Sequence, residues 1–265
     1  MIKNKKGIIF GIANDHSIAW GIAKKLHENG AKLAITYQNE TLFKRVKPLA
    51  DKVDSELLLE CDFSKNNALE TTFNEVSNKW QNLDFVIHAA AYSDKKELNG
   101  RYIDAGEENF IKSLNISCFS FTKIAKLTKP LMNGGGSLLT LSFYGSTKVM
   151  PNYNVMGIAK SALEASIKYL AKDLGKRKIR VNALSPGPIK TLAASAIGGF
   201  NYILKWNENN SPLKRNITVD DISGSTIYFL SDLSSGVTGE IHHVDSGYNI
   251  IGMKDADSPD IFEKK

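Results

Sequence analysis

Short apolar runs alternate with amphipathic stretches along the whole chain. Residues 7–11 (GIIFG), 32–37 (KLAITY), 56–61, 84–89 (DFVIHA), 137–142 (SLLTLS), 180–185 (RVNALS) and 240–245 (EIHHVD) read as strands. Most lack the period-two alternation of a strand with one wet face, so they fit a sheet covered on both sides. Between them lie stretches of helical period. Residues 18–28 place Ile18, Ile22, Ala23 and Leu26 on one face. Further helices are predicted over 40–52, from about 67 to 80, in one long element ending near Lys129, and over 154–175. Another begins at Thr218, where Asp221 three residues on makes a weak capping box.

Seven units of strand followed by helix predict a single-domain α/β protein. Its core is a Rossmann-type, doubly wound parallel sheet of about seven strands with helices on both faces. Crossovers are expected to be right-handed. No repeat, low-complexity linker or shift in composition marks a second domain. Residues 1–253 are therefore read as one dinucleotide-binding catalytic domain and 254–265 as a polar tail. The segment 191–216 lacks punctuation, and such a stretch in a compact domain is often a functional lid.

Composition narrows the class. Over 265 residues, 42% are hydrophobic and 23% charged, which is ordinary for a soluble globular protein able to bury a core without staples. The net charge of +6 and pI of about 9.1 leave two readings open. One is attraction to an acidic partner such as nucleic acid, an anionic membrane or an acidic carrier protein; the other is a scatter of solvated lysines. No interleaving of aromatic and basic residues supports nucleic acid. Cys61 and Cys118 have no metal-ligand spacing and form no CxxC pair. They fit a reducing compartment and small buried apolar roles, and no metal site is expected. The apolar run at residues 7–13 is too short for a signal-peptide core or a membrane span. A cytoplasmic location without membrane contact is expected.

The candidate chemistry begins after the first strand, at Gly11-Ile-Ala-Asn-Asp-His-Ser17-Ile-Ala-Trp-Gly21. This is not GxGxxG, and on its own it stands level with an ordinary strand-to-helix turn. Gly11 would let the backbone approach a pyrophosphate, and the helix start at Ser17 and Ile18 presents free N–H groups to it. The second strand runs into Gln38. A neutral residue there can bond an adenosine ribose hydroxyl but offers no charge to a 2′-phosphate, which favours NADH over NADPH. Lys44 and Arg45 lie close in sequence and weaken that preference. Asp62, with Phe63, ends the third strand; it is placed to accept from an adenine amino group, or else to cap the next helix. Tyr153 and Lys160 are seven positions apart at the start of a helix, two turns along one face. A phenol can donate to a substrate carbonyl, and an ammonium can strengthen that donor and grip ribose hydroxyls. A coincidental pair on a solvated helix would show the same spacing.

Together these features resemble the short-chain dehydrogenase/reductase superfamily. In detail they are similar to its enoyl-[acyl-carrier-protein] reductase branch from bacterial type II fatty-acid synthesis. That branch has the six-residue gap between tyrosine and lysine and the long Gly-x5-Ser-x3-Gly turn. Further matches are Tyr37-Gln38-Asn39, Pro151-Asn-Tyr-Asn-Val-Met-Gly157, Gly187-Pro-Ile-Lys-Thr-Leu-Ala-Ala194 and His243-Val-Asp245, so the likeness runs from Gly7 to about Met253. The resemblance implies hydride transfer from NADH to a trans-2-enoyl thioester on acyl carrier protein, the last reduction of the elongation cycle, in a homotetramer. It implies cofactor contacts from Gly11, Ser17, Ile18, Gln38, Asp62, Phe63, Ala90, Lys160, Ile189, Lys190, Thr191, Leu192 and Ala193. It implies Tyr153 and Lys160 as catalytic groups, Ser93, Ile197 and Phe200 against the substrate, and a lid over about 191–206. Phe143 stands where relatives commonly carry a second catalytic tyrosine, and Tyr144 beside it should point elsewhere. Ala91 and Ser246 each stand where glycine is usual. Two other readings remain: a short-chain reductase of ketones or small enones, and a non-catalytic paralogue that binds dinucleotide.

Overall fold

The computed structural model describes residues 1–259 and 261; the expected polar tail falls partly on residues 260 and 262–265, outside the described residues. The apolar runs form one parallel sheet. Its strands are β1 (Lys6–Phe10), β2 (Lys32–Tyr37), β3 (Leu57–Glu60), β4 (Phe85–His88), β5 (Gly136–Leu141), β6 (Ile179–Pro186) and β7 (Ile241–Val244), in the order β3-β2-β1-β4-β5-β6-β7. Every pairing is parallel, with Ile9 opposite Ile35 on one side and Ile87 on the other.

Successive strand residues face opposite layers, as the pleat requires. Ile9, Phe85, Ile87, Leu139 and Leu141 join one core with Trp20 and Ile22 of α1 (Ile18–Glu28), Val46 and Leu49 of α2 (Glu40–Lys52), and Phe229 of α8 (Val219–Leu230). Ile8, Phe10, Val86 and Leu138 join the other core. It is covered by Phe73 of α3 (Ala68–Trp80), Phe121 of α5 (Ser120–Thr128) and Leu163 of α6 (Asn154–Gly175). Burial on both faces explains why the strand sequences show no alternation.

Three features depart from the expected pattern. The long helix ending near Lys129 is divided into α4 (Glu107–Leu114), a π turn (Asn115–Phe119) and α5, and a 3-10 turn (Lys129–Leu131) stops it at Pro130. From the π turn, the Ser117 hydroxyl accepts from Tyr92 N–H at 2.9 Å and donates to Tyr92 C=O at 3.1 Å, which fixes the loop after β4. Within 191–216 the chain forms a 3-10 turn (Ala194–Ala196) and α7 (Phe200–Asn210), entered through Gly199 in the left-handed region. Gly21 lies inside α1, not in the phosphate-side turn. A Cβ there would overlap Val219 Cγ1, so this glycine serves the close approach of α1 to α8.

The capping box at Thr218 is fully formed. Asp221 N–H donates to Thr218 Oγ1 at 3.3 Å, and Asp221 Oδ2 accepts from Thr218 N–H at 2.7 Å. The Arg215 guanidinium also grips Asp221 and, with the cap, holds its carboxyl well below the usual carboxylate range. Cys61 is buried, and burial pushes its thiol up to about 11. Among the described residues no helix is long and apolar enough to cross a membrane.

Ser246 explains why glycine is usual at its position. It follows β7 with φ of 60°, and its buried hydroxyl has no partner among the described residues. A left-handed conformation and an unpaired hydroxyl both cost stability. Ser246→Gly should raise the free energy of unfolding by about 1 kcal/mol in urea titrations. A loss of stability would show that the hydroxyl is satisfied.

Candidate active site

The strand order turns back between β1 and β4, and a cleft opens at the carboxyl ends of the strands there, as in other doubly wound sheets. On one side of it a cavity of about 220 Å³ is lined by Gly11, Gln38, Asp62, Phe63 and Ala90. A second cavity, of about 270 Å³, is lined by Ser93, Phe143, Tyr153, Ile189, Ile197 and Phe200 among others. The two share Ala91, Tyr92 and Ala193 and so form one continuous groove.

The first half is built for close backbone approach. Gly11 has φ of 98°, and a Cβ there would overlap the Ala89 carbonyl. The turn after it is folded by Ser17, whose Oγ accepts from Ala13 N–H and Asn14 N–H, both at 3.1 Å. Its side chain is thus spent on the loop and does not cap α1. The first N–H groups of that helix lack carbonyl partners in their own turn and carry the positive end of its dipole. Gln38 and Asp62 line the cavity together, close enough for Gln38 to favour the Asp62 carboxylate. Burial pushes the Asp62 carboxyl up, but bonds from Ser64 N–H and hydroxyl, together with Gln38, outweigh this and hold it below its ordinary value. Asp62 closes a turn with Ser64; it does not cap α3, whose N-cap position is Asn67. Phe63 stacks on His88 at 5.9 Å. Neither Lys44 nor Arg45 lines this cavity, and among the described residues no lysine or arginine does.

The second half is lined by Tyr153, while Lys160 lines neither cavity. Tyr153 immediately precedes α6 and is 8% exposed. The Phe143 ring meets its edge at 5.0 Å, yet its hydroxyl has no hydrogen-bond partner among the described residues. Burial, with the Glu164 carboxylate adding to it, pushes the phenol well above its ordinary value. It is therefore a neutral donor at physiological pH. Lys160, two turns along, is also buried, and its Nζ donates to the Leu141 carbonyl at 2.6 Å. Burial lowers it to about 8 against the pull of Cys118 and Glu164. The ammonium bonds β5 and not the phenol, so the direct Lys160-to-Tyr153 support expected from the spacing is replaced by a shared buried face.

The other expected residues fall as follows. Ile18, Ile189, Thr191 and Ala193 line the second cavity. Lys190 lines neither half but two adjoining hollows, which share Thr191, Ile197, Phe200 and Ile189 with the second cavity, and Leu192 is 49% exposed and lines neither half. Ser93 Oγ accepts from Asn109 Nδ2 at 3.0 Å. Tyr144 points away from the groove and packs against Tyr248 at 5.5 Å. Ala91 stands where the two halves join. Sequence reasoning passed over Tyr92 and Met156, which also line the second cavity. Met156 was within reach, because it lies three residues after Tyr153 on the same helix face.

The Enoyl-(Acyl carrier protein) reductase family profile matches residues 11–249. The NADH enoyl-[acyl-carrier-protein] reductase 1 of Rhizobium meliloti is 56% identical, over 98% of this chain and 96% of its own length. That of Rickettsia typhi is 52% identical over 95% and 97%. The crystal structure of the reductase from Anaplasma phagocytophilum, in complex with NAD, superposes with a TM-score of 0.93. It is 54% identical and covers 98% of this chain and 97% of that one.

One buried group beneath the site couples its architecture to pH. The His88 ring contacts Thr140 Oγ1 at 2.8 Å and Ser120 Oγ at 2.9 Å. Burial, with the nearby Lys160 charge, lowers it from 6.5 to about 3. The unfolded chain binds a proton that the folded one refuses between these values, so the stability it gives is complete above about 6.5 and is lost as pH falls towards 3. Urea unfolding across that window should show a shallower loss in His88→Gln than in the wild type. Equal slopes would contradict the assignment.

Proposed function

This chain belongs to the enoyl-[acyl-carrier-protein] reductase family, and on that premise we propose how its own residues carry out the reduction. It reduces enoyl thioesters of acyl carrier protein with NADH, in fatty-acid synthesis. The observation that carries the assignment of roles is Tyr153: its buried side chain lines the second cavity, which is continuous with the first, and its hydroxyl has no hydrogen-bond partner among the described residues.

The residues of the groove fit the cofactor. Gly11 leaves room for a pyrophosphate against the backbone, and the α1 N-terminus supplies unpaired N–H groups beside it. Gln38 suits ribose hydroxyls, and the absence of cations among the described residues lining the cavity beside it suits an adenosine without a 2′-phosphate. Asp62 and Phe63 would flank the adenine, and Ala90 would lie along the middle of the cofactor. Ile189, Thr191 and Ala193 would hold its nicotinamide end. Lys160 has two ammonium hydrogens left after its bond to Leu141, enough for the ribose hydroxyls.

When bound, the nicotinamide supplies the hydride. The protein's part is to stabilise the charge that then gathers on the thioester oxygen. Tyr153, neutral and largely buried, donates its hydroxyl to that oxygen, where a preorganised donor is worth roughly 3–4 kcal/mol. Phe143 offers no second hydroxyl, so the thioester oxygen depends on Tyr153 more than in relatives with two tyrosines. Its ring instead fixes the phenol edge-on. Ser93 would lie beside the thioester, with Ile197 and Phe200 along the acyl chain.

Residues 1–253 would then act as one catalytic domain, with 191–206 as a lid. That lid is tethered by Gly198 N–H to Leu98 C=O at 3.1 Å and by Asn152 Nδ2 to Gly198 C=O at 2.8 Å. A homotetramer is supported by the exposed Ile111, Phe119 and Tyr169 on the face of α4, the π turn and α6. A cytoplasmic location agrees with the chemistry and with two free cysteines.

Tyr153→Phe should lower kcat/KM for NADH-dependent reduction of crotonyl or longer trans-2-enoyl thioesters by roughly 10²–10³-fold while NADH still binds. Unchanged turnover would remove Tyr153 from the oxyanion. Gln38→Arg should improve kcat/KM with NADPH relative to NADH by about tenfold. No change in that ratio would place the ribose elsewhere.

A further inference from the structure

One acidic side chain beside the site has no role in this mechanism. Glu164 lies four residues after Lys160 on α6, on the same helix face. Its Oε1 accepts from two hydroxyls, Ser146 Oγ at 2.6 Å and Ser142 Oγ. Ser142 follows β5, and Ser146 closes the 3-10 turn Tyr144–Ser146. Between these two serines lie Phe143, packed on the Tyr153 ring, and Gly145, where a Cβ would stand 2.5 Å from Tyr153 Cδ1. The same seam is tied again by Ser161 Oγ, which donates to the Ser146 carbonyl at 2.5 Å. The segment that supports Tyr153 is therefore fastened to the helix that carries Tyr153 and Lys160, and Glu164 is the fastening point that bears charge.

The charges around Lys160 give Glu164 a second effect. His88 faces the ammonium from β4, Cys118 from the π turn, and Glu164 from its own helix, while β5 contributes the Leu141 carbonyl. His88 is held neutral by burial, and burial pushes the Cys118 thiol up and keeps it protonated near neutral pH. Glu164 is the remaining anion. Its field opposes the loss of the Lys160 proton that burial favours.

We propose that Glu164 is a positioning residue for the reduction: its carboxylate balances the buried Lys160 ammonium and, through Ser142 and Ser146, holds the Phe143–Gly145 segment against Tyr153. The proposal rests on the roles given above to Tyr153 and Lys160. Two variants separate its parts. Glu164→Gln keeps an acceptor for the serines and removes the charge. Glu164→Asp keeps the charge and withdraws it from the serines by one methylene.

The test follows the Lys160 titration by NMR in cofactor-free protein labelled with ¹³C at lysine Cε. It also records kcat/KM against pH with NADH and a trans-2-enoyl thioester. In Glu164→Gln, Lys160 should titrate about one pH unit lower and the alkaline limb of activity should move with it. Activity would then fall about fivefold near pH 8 and less than about 1.5-fold near pH 6.5. In Glu164→Asp the titration should stay close to the wild type, while kcat drops evenly across pH as the segment loosens. A Gln variant that titrates like the wild type, or that loses activity evenly at every pH, overturns the proposal. If the wild type turns over no enoyl thioester, the functional reading fails and any role in reduction fails with it. That outcome is recognised because the Lys160 titration still differs between wild type and variant.

Discussion

A lysine ammonium taken out of water sets the terms for the carboxyl ends of this sheet. Lys160 is 6% exposed, and burial brings it to about 8. A buried charge is tolerable only where acceptors meet it, and here the Leu141 carbonyl at the end of β5 does so at 2.6 Å. That bond fixes the roll of α6 on the sheet, and with it the direction in which Tyr153 enters the groove. The neighbours follow the same constraint. His88, directly below, is kept neutral, and Glu164, one turn along, is kept close to hydroxyls.

The sheet order gives this helix something to act on. Because the chain turns back between β1 and β4, the loops after these strands diverge and leave a groove. One half is shaped by a glycine that allows no side chain and by a helix N-terminus. The other is shaped by Tyr153, Phe143 and the residues before α7. Under the proposed roles, binding and chemistry occupy two halves of one groove, joined at Ala91, Tyr92 and Ala193. The preference for NADH has the same origin. The adenosine half is lined by Gln38 and Asp62 and, among the described residues, by no cation, so it offers hydrogen bonds but no partner for an added phosphate.

Much of this was legible in the sequence, for identifiable reasons. The periodicity marked β2, α1, α2 and α6 to the residue, because each is bounded by clear polar or glycine punctuation. The Thr218 cap was readable because a capping box is local chemistry. The long helix was not resolved into α4, the π turn and α5, because no glycine or proline within residues 107–128 marks a break. Nor was α7 found, since its buried positions include Asn207 and Asn210, which read as loop. Spacing and strand ends singled out Tyr153, Lys160, Gln38 and Asp62 as candidates, and Tyr153, Gln38 and Asp62 line the groove. The exposed position of Leu192 and the placement of Lys190 outside both halves depend on how the loop folds, which no spacing encodes. Glu164 carried a signal in its four-residue step from Lys160, but its serine partners are far from it in sequence.

The most direct test of the account is the pH dependence of kcat/KM for NADH-dependent reduction of a trans-2-enoyl thioester by the wild-type chain. A neutral phenol donor beside a charged lysine predicts a level profile through neutral pH and a fall above about 8, as Lys160 loses its proton. A profile that instead rises through this range would mean that an ionised group, and not the protonated phenol, does the work, and would contradict the account.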